Sequence, residues 1–542
     1  MTKMPVTVEI YDTTLRDGTQ GQDFNLTSED KVAIAKRLDA FGVDFIEGGW
    51  PGSNPKDVRF FELMKEVPLV HARLAAFGAT RRKGTRCEDD PSLRALLAAE
   101  TPVVTLFGKS WDLHVREALG VELEDNLAMI EETVRFLKGQ GKLVVYDAEH
   151  FFDGHRADAA YALATLAAAA VGGADRLVLC DTNGGSLPGF VAERVAEVRE
   201  GFAAAIGVHS HNDGELAVAN ALAAVGAGAR HVQGTVNGYG ERCGNANLMS
   251  VLPALKLKLG FDQPQDLGAL RELSRYIDER ANMSPNPRAP YVGDAAFAHK
   301  GGVHVSAVNK NPRTYEHVQP QTVGNRRRIL LSDLSGRANI LAKAAEYGEE
   351  GRSEVASVVD RLKELEHRGY AFEGAEASYR LMKRKVQGEY KPYFVMHGYR
   401  VNIDKRDFDR EPVCEATVRV EVAGELEHTA AAGDGPVNAL DRALAKALVR
   451  FYPSIQALRL TDYKVRVLSG PETGTASVVR VQVEMSDGQR TWGTVGASTN
   501  IIDASYQAII DAIDYKLIRD GVTPRSELEP SLGSGPLEHE PA

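Results

Sequence analysis

One rhythm governs the first 236 residues: a short apolar run followed by an amphipathic stretch, eight times over. The apolar runs are VTVEIYD (6–12), VDFIEGG (43–49), LVHARLAAF (69–77) and PVVTLFG (102–108), then KLVVYDAEH (142–150), RLVLCDT (176–182), AIGVHSHND (205–213) and ARHVQGTV (229–236). Between them lie helical patterns such as SEDKVAIAKRLDAFG, with Ser28 as the expected cap, and LEDNLAMIEETVRFLKGQG. Apolar strands alternating with amphipathic helices imply a parallel sheet covered by helices. Eight such units in about 250 residues predict an α/β fold, a closed (β/α)8 TIM barrel. An open, doubly wound sheet is the alternative topology.

Beyond Gly260 the rhythm breaks. Residues 279–304 are rich in proline and glycine and read as a linker with a short helix, 310–339 carry turns and three adjacent arginines, and 340–388 read as helices. Near residue 400 the pattern changes to alternating strands. CEATVRVEVAGELEHTAA (414–431) precedes a helical NALDRALAKALVRFY, and VVRVQVEMSDGQRTWGTVG (478–496) precedes DASYQAIIDAIDYKL. The ATVRV and SVVRV segments lie 61 residues apart, an internal duplication. The expected domains are therefore 1–275, the barrel; 276–400, a linker with helical subdomains; 401–520, a duplicated α+β domain; and 521–542, a disordered tail holding four prolines.

Composition excludes several classes. The 64 basic and 75 acidic residues are well mixed and leave a net charge of −11, so no basic footprint for nucleic acid exists. Cys87, Cys180, Cys243 and Cys414 form no CxxC pair, which suits a reducing cytosol. The start MTKMPVTVEIYD has no apolar signal core, and the alanine-rich stretch 160–174 is too short to span a bilayer. A cytoplasmic protein without membrane partners is expected.

In a barrel, chemistry gathers at the carboxyl ends of the strands. Arg16 and Asp17 follow the first strand, Glu47 closes the second, Glu149 the fifth and Thr182 the sixth. His209 and His211 close the seventh, and Asn237, Glu241, Arg242 and Asn245 follow the eighth. Residues two apart on a strand face the same way, so both imidazoles reach one point. Joined to the Asp17 carboxylate they make a ligand set for a divalent ion; a structural hydrogen-bonding pair is the bland alternative. The planar Arg16 guanidinium suits a carboxylate or a developing oxyanion, or else a salt bridge within the barrel. NGYGERCGN (237–245) has three glycines in nine residues, which allows close backbone approach to a ligand, and Glu241 with Arg242 reads as an internal ion pair.

LRDGTQ (15–20), HSHND (209–213) and NGYGERCGN together resemble the family of 2-isopropylmalate, homocitrate and citramalate synthases. The likeness continues through GGVHVSAV (301–308), VGNRRRILLSDLSGRAN (323–339) and STNIIDASYQAIIDAIDYKL (498–517). The resemblance implies a Claisen-type condensation of acetyl-CoA with a 2-oxo acid. It implies Asp17, His209 and His211 as ligands of one divalent metal (Mg, Mn or Zn), with Asn245 at or beside the shell. Arg16 would polarise the 2-oxo acid, while Gln20, Glu47, Glu149 and Thr182 would line or order its pocket. His304, from the segment after the barrel, would take the acetyl proton, with Glu149 in reserve.

FIEGGWPGSNPKD (45–57) and YDAEHFFDG (146–154) are most like the citramalate-forming branch, which implies pyruvate as acceptor and a place in isoleucine biosynthesis. Formation of 2-isopropylmalate from 2-oxoisovalerate, or of homocitrate, remains the alternative, and a non-catalytic regulatory scaffold a more distant one. The duplicated domain resembles the family's regulatory domain, which implies a homodimer with isoleucine as effector. The turn before IIDASYQAIIDAI would offer backbone N–H groups to an amino-acid carboxylate, a geometry that ordinary helix capping also needs.

Overall fold

A computed structural model of the chain describes residues 7–330, 355–405, 411–468 and 477–524. The expectations for 331–354, including the end of the arginine-rich segment, and for the tail from 525 onward lie outside the described residues. Two compact units emerge. One runs to Phe297 and takes in Glu316–Arg327; the other comprises Ala298–Tyr315 and the chain from Arg328.

The first unit is the eight-stranded closed barrel. Its strands are β1 (Glu9–Asp12), β2 (Phe45–Gly49), β3 (Arg73–Ala79), β4 (Val103–Lys109), β5 (Leu143–Glu149), β6 (Arg176–Asp181), β7 (Ala205–Ser210) and β8 (His231–Gly234). Each is parallel to the next, and β8 closes on β1 with Glu9 opposite His231. The open-sheet alternative is therefore excluded. Alternate residues divide between two cores, as a strand's period of two requires. Tyr11, Phe45, Ala75, Val103, Val145 and Val178 fill the barrel interior, while Ile10, Ile46, Ala76, Val104, Val144 and Leu177 pack outward. The inward row continues two residues further along each strand, through Glu47, Phe77, Thr105, Asp147 and His209, to the mouth.

Local differences from the sequence reading have simple causes. β3 starts at Arg73 because the N–H groups of Val70, His71 and Ala72 all donate to the carboxylate of Asp39 (2.9, 2.8 and 2.7 Å) rather than to a neighbouring strand. Helix α1 (Ser28–Phe41) is capped by Thr27, one residue before Ser28. Thr27 Oγ1 accepts the Asp30 N–H, and the Asp30 carboxylate accepts that of Thr27, a reciprocal box that stabilises the end by about 1 kcal/mol. Ser28 instead donates to the Lys56 carbonyl. Residue 275 lies inside the helix Leu270–Arg280, whose Leu270, Leu273 and Ile277 join the barrel's outer core.

In the second unit, helix Gly302–Lys310 carries His304, and helices Val355–His367 and Glu376–Val386 follow. Two three-stranded antiparallel sheets come next. The first comprises Val395–Asp404, Val413–Val422 and Glu425–Gly433, followed by helix Pro436–Leu448. The second comprises Arg459–Val467, Val479–Ser486 and Thr491–Ser498, followed by helix Ile501–Arg519. The duplication is present, with one more strand per copy than the alternation revealed. Ala416, Val418, Val420 and Val422 from one copy and Val481, Val483 and Met485 from the other share one core with Leu440, Leu444, Ile509 and Ile513.

Candidate active site

Asp17, His209 and His211 converge at the barrel mouth, each offering a ligand atom within 4.8 Å of the others, and all three are buried. His209 Nε2 lies 3.4 Å and His211 Nε2 3.9 Å from Asp17 Oδ2. Strands β7 and β1 flank β8, so closure of the barrel brings residues nearly 200 positions apart into one cluster.

Electrostatics prepare this cluster for a cation. Burial alone would raise the Asp17 pKa, but the Arg16 guanidinium beside it outweighs that and holds the carboxyl below its usual range. Burial lowers both histidines, and with His209 alongside, His211 is pushed down to about 3. The set is thus one carboxylate and two neutral imidazoles. His209 Nδ1 faces Gln233 Oε1 at 2.9 Å, and Gln233 Nε2 donates to Asp147 Oδ1 at 2.9 Å. The amide's orientation makes Nδ1 the protonated nitrogen and leaves the Nε2 lone pair toward Asp17.

Asn245 belongs to the same place. An isolated bridge joins it to His211, its Nδ2 donates to the Tyr239 carbonyl (3.3 Å), and Asn212 N–H donates to the Gly244 carbonyl (2.8 Å). A β-carbon on Gly240 would lie 2.0 Å from Asn245 Nδ2, so this turn needs its glycine. Asp17 Oδ1, His211 Nδ1 and Asn245 Oδ1 are buried without a hydrogen-bond partner among the described residues. Orphaned oxygens beside neutral imidazoles are what a divalent ion would satisfy, so the residues present fit a metal.

Arg16 sits beside this cluster. Its Nε donates to Glu47 Oε1 (2.5 Å), Nη1 lies 3.5 Å from Asp17, and the guanidinium lies 3.8 Å from the centre of the Phe77 ring. Burial opposes its charge, but Glu47 and Asp17 keep it firmly protonated. Glu47 is fully buried and also accepts from Thr13 (2.7 Å) and Tyr11. Its geometry is that of a clamp on Arg16. Glu149 pairs with Lys109 at the ends of β5 and β4. Thr182 Oγ1 accepts the His150 N–H (2.9 Å). Gln20 ends a short turn, Gly18–Gln20, with its side chain exposed. His304 lies in the second unit, exposed and stacked on Tyr315 at 4.1 Å.

Arg242 bonds Asp213 (2.7 and 3.0 Å), while Glu241 stays 3.9 Å from it, so the expected internal pair is a minor contact. Asn237 donates to the Ser274 carbonyl and to Asp278 and braces the helix Leu270–Arg280. Sequence reasoning missed Thr13, Asp147 and Gln233, which hold the residues it found. It also missed an aromatic wall beside Arg16. Phe77 and Phe107 stack at 5.3 Å, and Trp50 meets them edge-on at 5.8 and 5.5 Å. Trp50 follows Gly49, where φ is +151° and a β-carbon would lie 2.3 Å from the Asp57 carboxyl; Asp57 in turn accepts the Trp50 N–H (2.8 Å).

Comparison with known proteins places the chain in a family. Residues 7–277 match the HMGL-like family, 291–370 the homocitrate synthase post-HMGL domain-like family, and 374–517 the LeuA allosteric (dimerisation) domain. The (R)-citramalate synthase of Geobacter sulfurreducens is 54% identical over 518 residues, 94% of this chain and 97% of that protein. That of Aquifex aeolicus is 54% identical over 520 residues, 95% and 98% of the two chains. A probable 2-isopropylmalate synthase of Methanopyrus kandleri is 35% identical over 522 residues, 94% and 98% of the two. With this likeness along nearly its whole length, the chain belongs to the (R)-citramalate synthase family.

Proposed function

We propose that the chain condenses acetyl-CoA with pyruvate and water to give (R)-citramalate and CoA, on a route to isoleucine. The observation that carries this reading is the buried Asp17, His209 and His211 cluster beside Arg16, in a chain of this family. A divalent ion held by those three, with Asn245 alongside, would supply Lewis-acid polarisation of the 2-oxo acid. Mg, Mn and Zn all suit a carboxylate and two imidazoles.

The remaining work falls to side chains. Arg16, clamped by Glu47, keeps N–H groups free of that clamp to bind the acceptor's carboxylate or the oxyanion that forms at its keto carbon; a fixed donor there is worth about 3 to 4 kcal/mol. Removal of a proton from the acetyl methyl group is assigned to His304 by the family resemblance. The methyl carbon then bonds to the keto carbon. Glu149 orients the water that cleaves the thioester and releases CoA, and stands in reserve as the base. Thr182 and Gln20 complete the pocket rim. Trp50, Phe77 and Phe107 limit the space beside Arg16, which favours the methyl group of pyruvate over a branched chain.

A homodimer with isoleucine as effector accompanies this reading, supported by the match of residues 374–517 to a dimerisation domain. The cysteines are all free, and among the described residues no helix is long and apolar enough to cross a membrane; a cytoplasmic location is proposed with the rest.

Competition settles the acceptor. Pyruvate, 2-oxobutyrate, 2-oxoisovalerate and 2-oxoglutarate are each supplied with acetyl-CoA, and kcat/KM is expected to be highest for pyruvate. A preference for 2-oxoisovalerate would place the enzyme in leucine synthesis instead.

A further inference from the structure

Lys109 stands at the end of β4, in register with Glu149 at the end of β5. Its ammonium bonds Glu149 Oε2 beside the Phe107 ring, and the two side chains are only 17% and 23% exposed. The main chain of Glu149 is held as firmly. Ser110 N–H donates to its carbonyl (3.1 Å), and the next residue, His150, takes a left-handed conformation (φ 58°, ψ 30°). A residue with a β-carbon adopts that conformation only where its surroundings enforce it. Here Thr182 Oγ1 accepts the His150 N–H, and the His150 ring packs on His114, itself stacked on Trp111 (4.2 and 5.2 Å).

We propose that Lys109 is a positioning residue for Glu149. Its ammonium holds the carboxylate aimed across the barrel mouth, while the left-handed turn at His150 fixes the main chain that carries it. The inference rests on the reading that Glu149 takes part in proton transfer or in orienting water. Either task needs the carboxylate held in one place, which a bond from the neighbouring strand end supplies. The other titratable groups around it are Asp147 on its own strand, His114 after β4, His150 and Asp153 after β5, and Cys180 on β6, which Arg16 and Asp17 also face. Among the described residues, Lys109 is the cation that bonds Glu149.

The experiment uses the full-length enzyme and the variants Lys109→Met, Lys109→Arg and Glu149→Gln, with Lys109→Gln replacing the first should that one fold poorly. kcat and KM are measured for each and for the double variant Lys109→Met/Glu149→Gln. Lys109→Met is expected to lower kcat about tenfold with KM for pyruvate little changed, and Lys109→Arg to restore it. In the Glu149→Gln background Lys109→Met should cost nothing further, because the carboxylate it positions is gone. A Lys109→Met enzyme with parental kcat, or a double variant that loses the tenfold again, overturns the proposal. Parental kcat in Glu149→Gln overturns instead the role of Glu149 on which the inference rests.

Discussion

Asp17 is buried between two imidazoles and a guanidinium, so its neighbours, not solvent, decide its charge. Asp17→Asn keeps the shape but removes the negative charge. It is expected to abolish turnover and to leave the protein without bound metal after dialysis, with the fold retained; metal analysis and circular dichroism check this. Full turnover by a metal-free sample would end the metal reading. Gln233→Leu acts one step away, releasing the His209 ring from its fixed orientation. Metal affinity should fall by about 10- to 100-fold, measured by titration calorimetry. Selectivity is also decided by single residues. Phe107→Ala should open the aromatic wall and raise kcat/KM for 2-oxoisovalerate relative to pyruvate by about tenfold. An unchanged ratio in the competition assay would remove the wall from the account.

At the scale of elements, an ion pair ties the lower end of the barrel across three strands. Glu9 on β1 receives Arg176 from β6 in two bonds (2.8 and 2.6 Å) and faces His231 on β8 at 3.2 Å. Burial would raise the Glu9 pKa, but these partners prevail and hold it at about 2, against 4.5 unperturbed. A depressed carboxylate adds stability that is fully present above the unfolded pKa and is lost as pH falls through the folded one. The window therefore runs from about pH 4.5 down to about 2. Glu9→Gln should cost about 2 kcal/mol at neutral pH, after discounting for partial exposure. The Tm difference from the parent should shrink through that window, as scanning fluorimetry would record. A constant difference would mean that packing rather than charge carries the effect.

At the scale of the whole molecule, the duplicated sheets bear on regulation. The turn before Ile501–Arg519 does not leave its donors open: Asn500 Oδ1 accepts the N–H groups of Ile502 and Asp503 (2.8 and 3.4 Å), so ordinary capping accounts for it. Helix Glu376–Val386 also packs on this last helix, through Ser378 to Asp511 (2.6 Å), and Tyr370 in the loop before it bonds Gln507. A truncation near residue 390 would strip those partners and confuse loss of control with loss of folding. Feedback is better measured on the intact chain, where isoleucine is expected to inhibit at subsaturating pyruvate and mass photometry to report a dimer. Insensitivity to isoleucine, leucine and valine alike would remove branched-chain control.

The sequence by itself determined the barrel and most of its mouth. Strand and helix periods are local properties, and in a parallel barrel every strand delivers its last residues to the same end. Asp17, Glu47, Glu149, Thr182, His209 and His211 were therefore legible as a group. What they do to one another was not. Glu47 clamping Arg16, Gln233 orienting His209 and Lys109 holding Glu149 all depend on which strands become neighbours and in which register, a choice made only when the barrel closes. Counting back two residues from His209 or Glu149 along the inward face would have found Gly207 and Asp147, but never Gln233 on the next strand. The edge strands Val395–Asp404 and Arg459–Val467 escaped notice for a related reason: they are mostly exposed, so no buried face marks their alternation, and pairing with the strand beside them is what makes them strands.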